Sequence, residues 1–413
     1  MSSAAPELFV EASEPLGDRE LPRCAIVILN WNGRHHLERC LESIRGLRYP
    51  ADLREVVLVD NGSSDGSVEL LRARFPWVRL RVNERNVGFS AGCNQGARAA
   101  ADADVLVFLN NDIRVEPDFL RELVAPIVRG ACDATSARIL SWDGERVNSA
   151  GGGMNFHGIG IQRAYLDEPG PEHERPCWTL FGCGGAMAMG AQAFRDVGGF
   201  EEEFFAYYED VDLGWRTWIL GKRVQYAPRA VCYHHHSSTS SRVPRERLRL
   251  LQVRNPLLAC FKNYADDNLR RVFPAMLALA LRRAILRLEL GDRRDFRIEE
   301  LSRLRRPGRL ARTLERLRGR AEGRRAVARA GLADLVGIDD LLGSWDHWAR
   351  KRAAVQRARE RPDDEILHLF LRPLWCIEDE PGYKELHRGA TAFFGIDALF
   401  DGLTSMPDDP RQA

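Results

Sequence analysis

Five short polar runs in this chain of 413 residues carry side chains that can do chemistry. Asn30-Trp31-Asn32, Asp60-Asn61-Gly62 and Asn110-Asn111-Asp112 each follow an apolar run. Glu209-Asp210 sets two carboxylates side by side, and His234-His235-His236 follows 24 to 26 residues beyond Asp210. Carboxylate and amide oxygens accept hydrogen bonds and bind hard cations. Adjacent carboxylates raise each other's pKa, which suits one of them to act as a base. Imidazole adds a softer metal ligand. Each run also has a plain reading. Asn and Asp start turns, acidic residues favour helix N-termini, and a His cluster in a Ser-rich loop can simply be solvated.

The apolar spacing shows what must position these runs. Residues 24–29, 55–59, 78–82 and 104–109 read as strands, the first of them continuous and β-branched as a buried strand should be. Leu37, Cys40, Leu41, Ile44 and Leu47 follow at helical spacing. Asp65 opens a short helix with Val68 and Leu71, and Ser90 is placed to cap a small-residue helix through Ala100. This alternation predicts an α/β fold, a mostly parallel, doubly wound sheet flanked by helices. Such sheets bind ligands outside the carboxyl ends of their strands, and three polar runs fall there together. Residues 141–176 are Gly-rich and predict an irregular insertion with a hairpin, 178–189 resume as strand, 209–220 fit a helix, and 223–226 a last short strand. After residue 241 the chain turns Arg- and Leu-rich and helical to about 357; Pro362 breaks it and Asp363 is placed to cap a helix through Phe370. The expected division is a disordered acidic tail (1–21), an α/β catalytic domain (22–241) and an Arg-rich helical region (242–413).

Hydrophobic residues at 45% and charged residues at 29% exclude overall disorder. The longest apolar run of the C-terminal half, residues 272–281, is half the ~20 residues a membrane span needs and contains Pro274. The acidic start, broken by Pro6 and Pro15, has no apolar leader, so a cytoplasmic protein is expected. Nine scattered cysteines without a C-x-x-C pair argue against a disulfide framework or structural zinc. The net charge of +1 hides a segregation: residues 242–330 hold 25 Arg and Lys against 10 Asp and Glu. That segment reads as a charged face covering the rest of the protein, as a dock for anionic lipid headgroups with 272–290 in the interface, or as a nucleic-acid surface. No zinc-finger spacing or RNA-binding aromatic motif supports the last. A dinucleotide site would need G-x-G-x-x-G where Asn30-Trp31-Asn32-Gly33-Arg34 stands, and no lysine precedes Lys222 to serve a P-loop. A nucleotide would therefore be held by carboxylates, amides and a metal.

The ordered series is more specific. Residues 24–32, Val59-Asp60-Asn61-Gly62-Ser63-Ser64-Asp65-Gly66, Asn86-Val87-Gly88-Phe89-Ser90-Ala91-Gly92-Cys93-Asn94, residues 109–112 and Tyr208-Glu209-Asp210-Val211-Asp212-Leu213 together resemble glycosyltransferase family 2 over residues 22–241. The resemblance implies a GT-A fold and an inverting, metal-dependent transfer of sugar. The donor would be a nucleoside-diphosphate sugar, and the acceptor a hydroxyl of a glycan or lipid-linked molecule in cell-envelope polysaccharide synthesis. Within the family the Asn-Asn-Asp form and the Gly-Gly-Phe…Glu-Asp-Val-Asp-Leu block are most similar to rhamnosyltransferase-type members, which points to a dTDP- or UDP-sugar and to rhamnose as one candidate.

Residue by residue, the resemblance implies that Asp60 accepts a hydrogen bond from a pyrimidine base and that Asn30 and Asn86 line the nucleotide pocket. Asn110 stands where the family often has the first aspartate of Asp-x-Asp. Asp112 would bind Mg2+ or Mn2+ on the donor's diphosphate, with His234 as the best placed of the three histidines to complete the metal site. Glu209 and Asp210 match the paired carboxylates, and Asp210 is the expected base. Gly184 and Gly185 would let backbone approach the sugar, with Trp215 in the same acceptor region, although Trp215 and Trp218, three apart on one helix, read first as core. Cys183 is not expected as a nucleophile, since inversion needs none. The rivals are a sugar nucleotidyltransferase, which would carry a Gly-rich basic loop after the first strand, and an inactive scaffold or nucleic-acid-binding protein, against which Asp60, Asp112 and Asp210 count. The expected partners are the sugar nucleotide, the acceptor and an anionic membrane surface at the inner face of the membrane, with no nucleic acid.

Overall fold

The computed structural model describes residues 8–235, 244–288 and 329–403. Its first half alternates strands β1 Cys24–Asn30, β2 Arg54–Asp60, β3 Arg79–Val82 and β4 Val105–Asn110 with helices α1 Arg34–Arg45, α2 Ser67–Arg74 and α3 Phe89–Ala99. β1 pairs in parallel with both β2 and β4, and β2 with β3. This is the expected doubly wound part.

Residues 113–140, which carry no helix or strand expectation, form β5 Ile113–Val115, α4 Phe119–Val128 and most of β6 Ala134–Ser141. Then come β7 Val147–Ser149, the hairpin β8 Gly152–Met154 and β9 Gly160–Gln162, β10 Cys177–Trp178, β11 Ala186–Gly190, α5 Ala191–Val197, α6 Glu209–Ile219 and β12 Val224–His234. The sheet runs β10-β12-β6-β11-β4-β1-β2-β3. β11 is antiparallel to both neighbours, and β12 is parallel to β6.

Alternation along each central strand feeds two cores. Ala25, Val27, Val57, Leu106 and Phe108 face α3, α5, α6 and the C-terminal helices. Ile26, Ile28, Val56, Leu58, Val107 and Leu109 face α1, α2 and α4. A parallel strand covered on both sides must be apolar on both, which is why these runs look continuous.

Among the described residues five helices follow the sheet: α7 Arg245–Asn263, α8 Asp266–Arg287, α9 Arg329–Gly343, α10 Trp345–Arg357 and α11 Pro381–Phe393. No described helix is long and apolar enough to cross a membrane. They share the sheet's own core: the Trp215 ring of α6 lies 4.7 Å from Tyr264 and 5.8 Å from Phe370. Arg361 donates to the Trp218, Gly221 and Lys222 carbonyls at the carboxyl end of α6. Within the described part of 242–330, Tyr264 and Lys262 pack against α6.

Several expectations need correction. Residues 8–21 pack on the domain: Leu8, Leu16 and Leu21 are buried, and Asp18 and Glu20 pair with Arg121 and Arg129. The strand expected over 178–189 is broken, because residues 179–185 leave the sheet and pass under α6, where Gly214 meets the Leu180 carbonyl and Phe181. The helix expected after Asp363 is two 3-10 turns, Asp363–Glu365 and Leu367–Leu369. The Asp363 carboxylate is taken by Ala265 and Asn268 at the start of α8. Ser90 caps nothing: α3 begins at Phe89, and its first amides donate to the Phe205 carbonyl.

Candidate active site

Register brings the polar strand ends together. Asn30 lies opposite Asp60, and Leu29 opposite Asn110. A cleft of about 620 Å³ opens at this edge. Trp31, Asn61, Asn86, Asn110, Asn111 and Asp112 form one wall; Gly184, Gly185, Tyr208, Glu209, Asp210 and His234 form another. Gly160 and Gln162 of the hairpin and Leu248 and Gln252 of α7 complete it.

At the strand-end wall, two expected residues stand behind the surface. Asn30 and Asp60 have no exposed area. Asn30 donates to Asp60 at 2.8 Å and accepts from Asn111 at 2.7 Å; Asp60 also accepts from the Ser63 amide at 2.8 Å. Their place is under the wall, holding Asn111 and the Ser63 turn, rather than lining the pocket as expected. Gly33 is required above them, since a Cβ there would sit 2.1 Å from the Asn111 amide nitrogen. Asn86 does line the cleft, and its carboxamide oxygen accepts from Asn61 at 3.2 Å and from the Gly88 amide at 2.9 Å. Trp31 and Asn61, which the sequence marks only as members of the polar runs, also line the cleft, one residue past the strand ends at Asn30 and Asp60.

β12 is longer than expected, and this delivers His234 to the cleft. His234 lies opposite Ile113 of β5, one residue past Asp112. Its Nε2 is 3.2 Å from Asp112 Oδ1. His235 donates its amide to the Asp112 carbonyl, while its ring packs near Trp142 and His36. His236 lies outside the described residues. Among the described residues no group of three or more His, Cys, Asp and Glu gathers as a metal cage. Asp112 and His234 thus offer one oxygen and one nitrogen donor in contact beside open cleft. That set fits a cation whose remaining ligands come from a bound diphosphate and water.

The carboxylate pair opens α6. Asp210 accepts from the Gly184 amide at 3.0 Å and from the Val211 amide at 2.9 Å. Glu209 is buried, and its Oε2 has no hydrogen-bond partner among the described residues. Burial, with the neighbouring Asp210 charge second, pushes the Glu209 pKa up; burial also raises Asp210. The flanking Cys183 and Tyr208 stay neutral, since burial pushes both up to about 12. That also leaves Cys183 a poor nucleophile.

Asp212 faces the other way. It has no exposed area and receives Arg216 at 2.8 Å, Lys262 at 3.0 Å and Asn263 at 2.9 Å. Trp215 is core and not acceptor wall: it is 1% exposed and clasped by Tyr264 and Phe370.

A mostly parallel α/β sheet with acidic and amide side chains converging at its carboxyl edge has its cleft where sheets of this kind bind their ligands. Residues 25–198 match the family described as Glycosyl transferase family 2. Among curated proteins, the N-acetylglucosaminyl-diphospho-decaprenol L-rhamnosyltransferase of Mycobacterium tuberculosis is 31% identical over 250 residues, 54% of this chain and 79% of that protein. The polypeptide N-acetylgalactosaminyltransferase 8 of Drosophila melanogaster is 30% identical over 225 residues, 51% of this chain but 37% of that protein. A crystal structure of GalNAc-T7 with UDP, GalNAc and Mn2+ superposes with a TM-score of 0.50 at 19% identity, covering 62% of this chain and 51% of that one. The chain belongs to glycosyltransferase family 2. It is a glycosyltransferase with a GT-A fold, similar to the rhamnosyltransferases of that family.

Proposed function

We propose that this glycosyltransferase moves a sugar, rhamnose being the leading candidate, from a dTDP- or UDP-sugar to a hydroxyl of a glycan or lipid-linked acceptor, with inversion at the anomeric carbon. Asp210 takes the acceptor's proton as its oxygen attacks the anomeric carbon. The bond to the donor's diphosphate breaks on the opposite face, and the diphosphate leaves with the electron pair. One observation carries this reading: Asp210 is a half-buried carboxylate with a raised pKa, held by the Gly184 amide at 3.0 Å in the cleft that Asp112 and His234 also line. Gly184 orients the base; Glu209 sits beside it, best accommodated as the neutral acid.

Asp112 and His234 would hold a divalent cation, Mn2+ or Mg2+, and such an ion neutralises charge on the leaving diphosphate. The Mn2+ in the GalNAc-T7 complex agrees with this choice. Asn61, Asn86 and Asn111 give the donor wall hydrogen-bonding amides, with Trp31 as an aromatic face. The mycobacterial relative is named for a diphospho-decaprenol acceptor, which supports a lipid-linked acceptor in cell-envelope assembly and a place at the inner membrane surface. Exposed Leu281 and Ile285 on α8 and Leu332 and Val336 on α9 support peripheral docking there. Loss of retention on anionic liposomes at low salt would remove that element.

The test is calorimetry with UDP and dTDP, with and without Mn2+, followed by turnover of the corresponding sugar nucleotides. Mn2+-dependent binding of one nucleotide is expected. Binding of neither would remove the pyrimidine-donor assignment.

A further inference from the structure

The carboxylate pair is reached through a strained turn, and one buried side chain from α7 holds it. Phe205 has φ 63° and ψ −60°, and the Ala206 amide donates to the Phe204 carbonyl at 2.7 Å. This is a γ-turn with positive φ at its centre, the rare and strained form. Tyr207 at φ 71° and Tyr208 at φ 67° are left-handed as well. Non-glycine residues in such conformations are strained and persist only where the surroundings over-determine them.

Two contacts do so. On the cleft side, the Phe205 carbonyl accepts the Phe89 and Ser90 amides at the start of α3. Gly88, at φ 92°, makes room for it, because a Cβ there would lie 2.5 Å from that oxygen. On the far side stands Asn255 of α7, which has no exposed area. Its carboxamide nitrogen lies 3.0 Å from the Phe204 carbonyl, 3.0 Å from Ala206 and 2.8 Å from Tyr207. A carboxamide has two N–H groups, so one of these contacts is shared. No hydrocarbon side chain could satisfy the three oxygens, and a carboxylate would repel them.

We propose that Asn255 is a positioning residue for the transfer reaction. By pinning the carbonyls of Phe204, Ala206 and Tyr207 it fixes the turn. The turn sets the entry of Tyr208, Glu209 and Asp210 against Gly184, and its Phe205 carbonyl caps α3, just after Asn86 and Gly88 of the donor wall. The α7 helix is thus part of the active-site framework, although it lies outside the residues that match the family. The inference rests on the catalytic reading of Asp210.

The test compares Asn255→Ala and Asn255→Asp with Tyr264→Phe, which removes a 2.7 Å bond to the Phe156 carbonyl away from the turn. Turnover of UDP- and dTDP-sugars is measured well below each melting temperature, with nucleotide affinity in Mn2+ and hydrogen exchange of the Phe89, Ser90 and Ala206 amides. Misplacing the base by a fraction of an ångström to 1 Å should lower kcat about 10- to 100-fold in both Asn255 variants, with donor KM within about 2-fold. The three amides should exchange faster. Tyr264→Phe should lower the melting temperature and leave kcat unchanged. Wild-type kcat in Asn255→Ala, or unchanged protection of the three amides, overturns the proposal. If Asn255→Ala fails to fold, Asn255→Ser, which keeps one donor, decides on the same readouts. If the wild-type protein turns over no sugar nucleotide, the reading of Asp210 fails by itself, and exchange at the three amides still decides whether Asn255 holds the turn.

Discussion

The two sides of α6 bury carboxylates in opposite surroundings. Toward α7, Asp212 is enclosed by Arg216, Lys262 and Asn263; the two charges and the hydrogen bonds from Lys262 and Asn263 hold its pKa down to about 2 despite complete burial. Toward the cleft, Glu209 and Asp210 have no such cations among the described residues, and burial drives both upward. Burial is common to both sides, so the partners decide the sign. The α7 side anchors the helix as a matched ion cluster. The cleft side keeps a pair whose ionisation is costly in the folded protein, which is what a proton acceptor working near neutral pH requires.

The sharpest way to break this contrast is Asp210→Asn. Transfer should fall about 10²- to 10⁴-fold while nucleotide affinity stays within about 2-fold. An equal loss in both would make Asp210 a donor-binding residue. On the opposite side, Asp212→Asn should destabilise the fold by about 3 kcal/mol in denaturant titrations at pH 7, because it leaves Arg216 buried without its carboxylate and Lys262 with Glu201 alone. Since Asp212 has a lowered pKa, its stabilisation is present above about pH 4 and is lost as pH falls toward about 2, so the two proteins should converge there. A constant difference down to pH 2 would deny the ion cluster its role.

Much of the contrast was legible in the amino-acid order. Apolar runs ending in Asn30, Asp60 and Asn110 located the sheet edge, and Tyr208–Leu213 located the helix with its acidic start. The orientation of each carboxylate was not legible, because Lys262 and Asn263 lie some 50 residues downstream of Asp212. The same limit applied to Asp60, whose burial behind Asn111 depends on the register of three strands. β6 gave no alternation to read, since both faces are covered and it uses small and polar residues such as Thr135, whose hydroxyl bonds the Leu123 carbonyl. The γ-turn at Phe205 has no sequence signature of its own, because a non-glycine residue holds a conformation only its neighbours can enforce.

Smaller effects sharpen the cleft side. Asp112→Ala should weaken nucleotide binding about 10- to 100-fold in the presence of Mn2+ and little in its absence. Equal weakening under both conditions would assign Asp112 to direct ligand contact. The acid limb of the kcat profile should lie above the ordinary carboxylate range, since the raised pair must lose a proton before Asp210 can accept one. A limb near pH 4 would mean that the pair is solvated in the working enzyme.

The most direct test of the central claim needs no substrate: the unfolding free energies of wild type and Glu209→Gln, compared from pH 4 to pH 8. A carboxyl whose folded pKa is raised stabilises the fold fully only below its unfolded value near 4.5, and that contribution is lost as pH rises through the raised value. Glu209→Gln removes this penalty, so the variant should gain steadily on wild type between pH 4.5 and pH 8 and show no gain at pH 4. Parallel curves across the whole range would contradict the account, because Glu209 would then ionise in the folded protein as freely as in the unfolded chain.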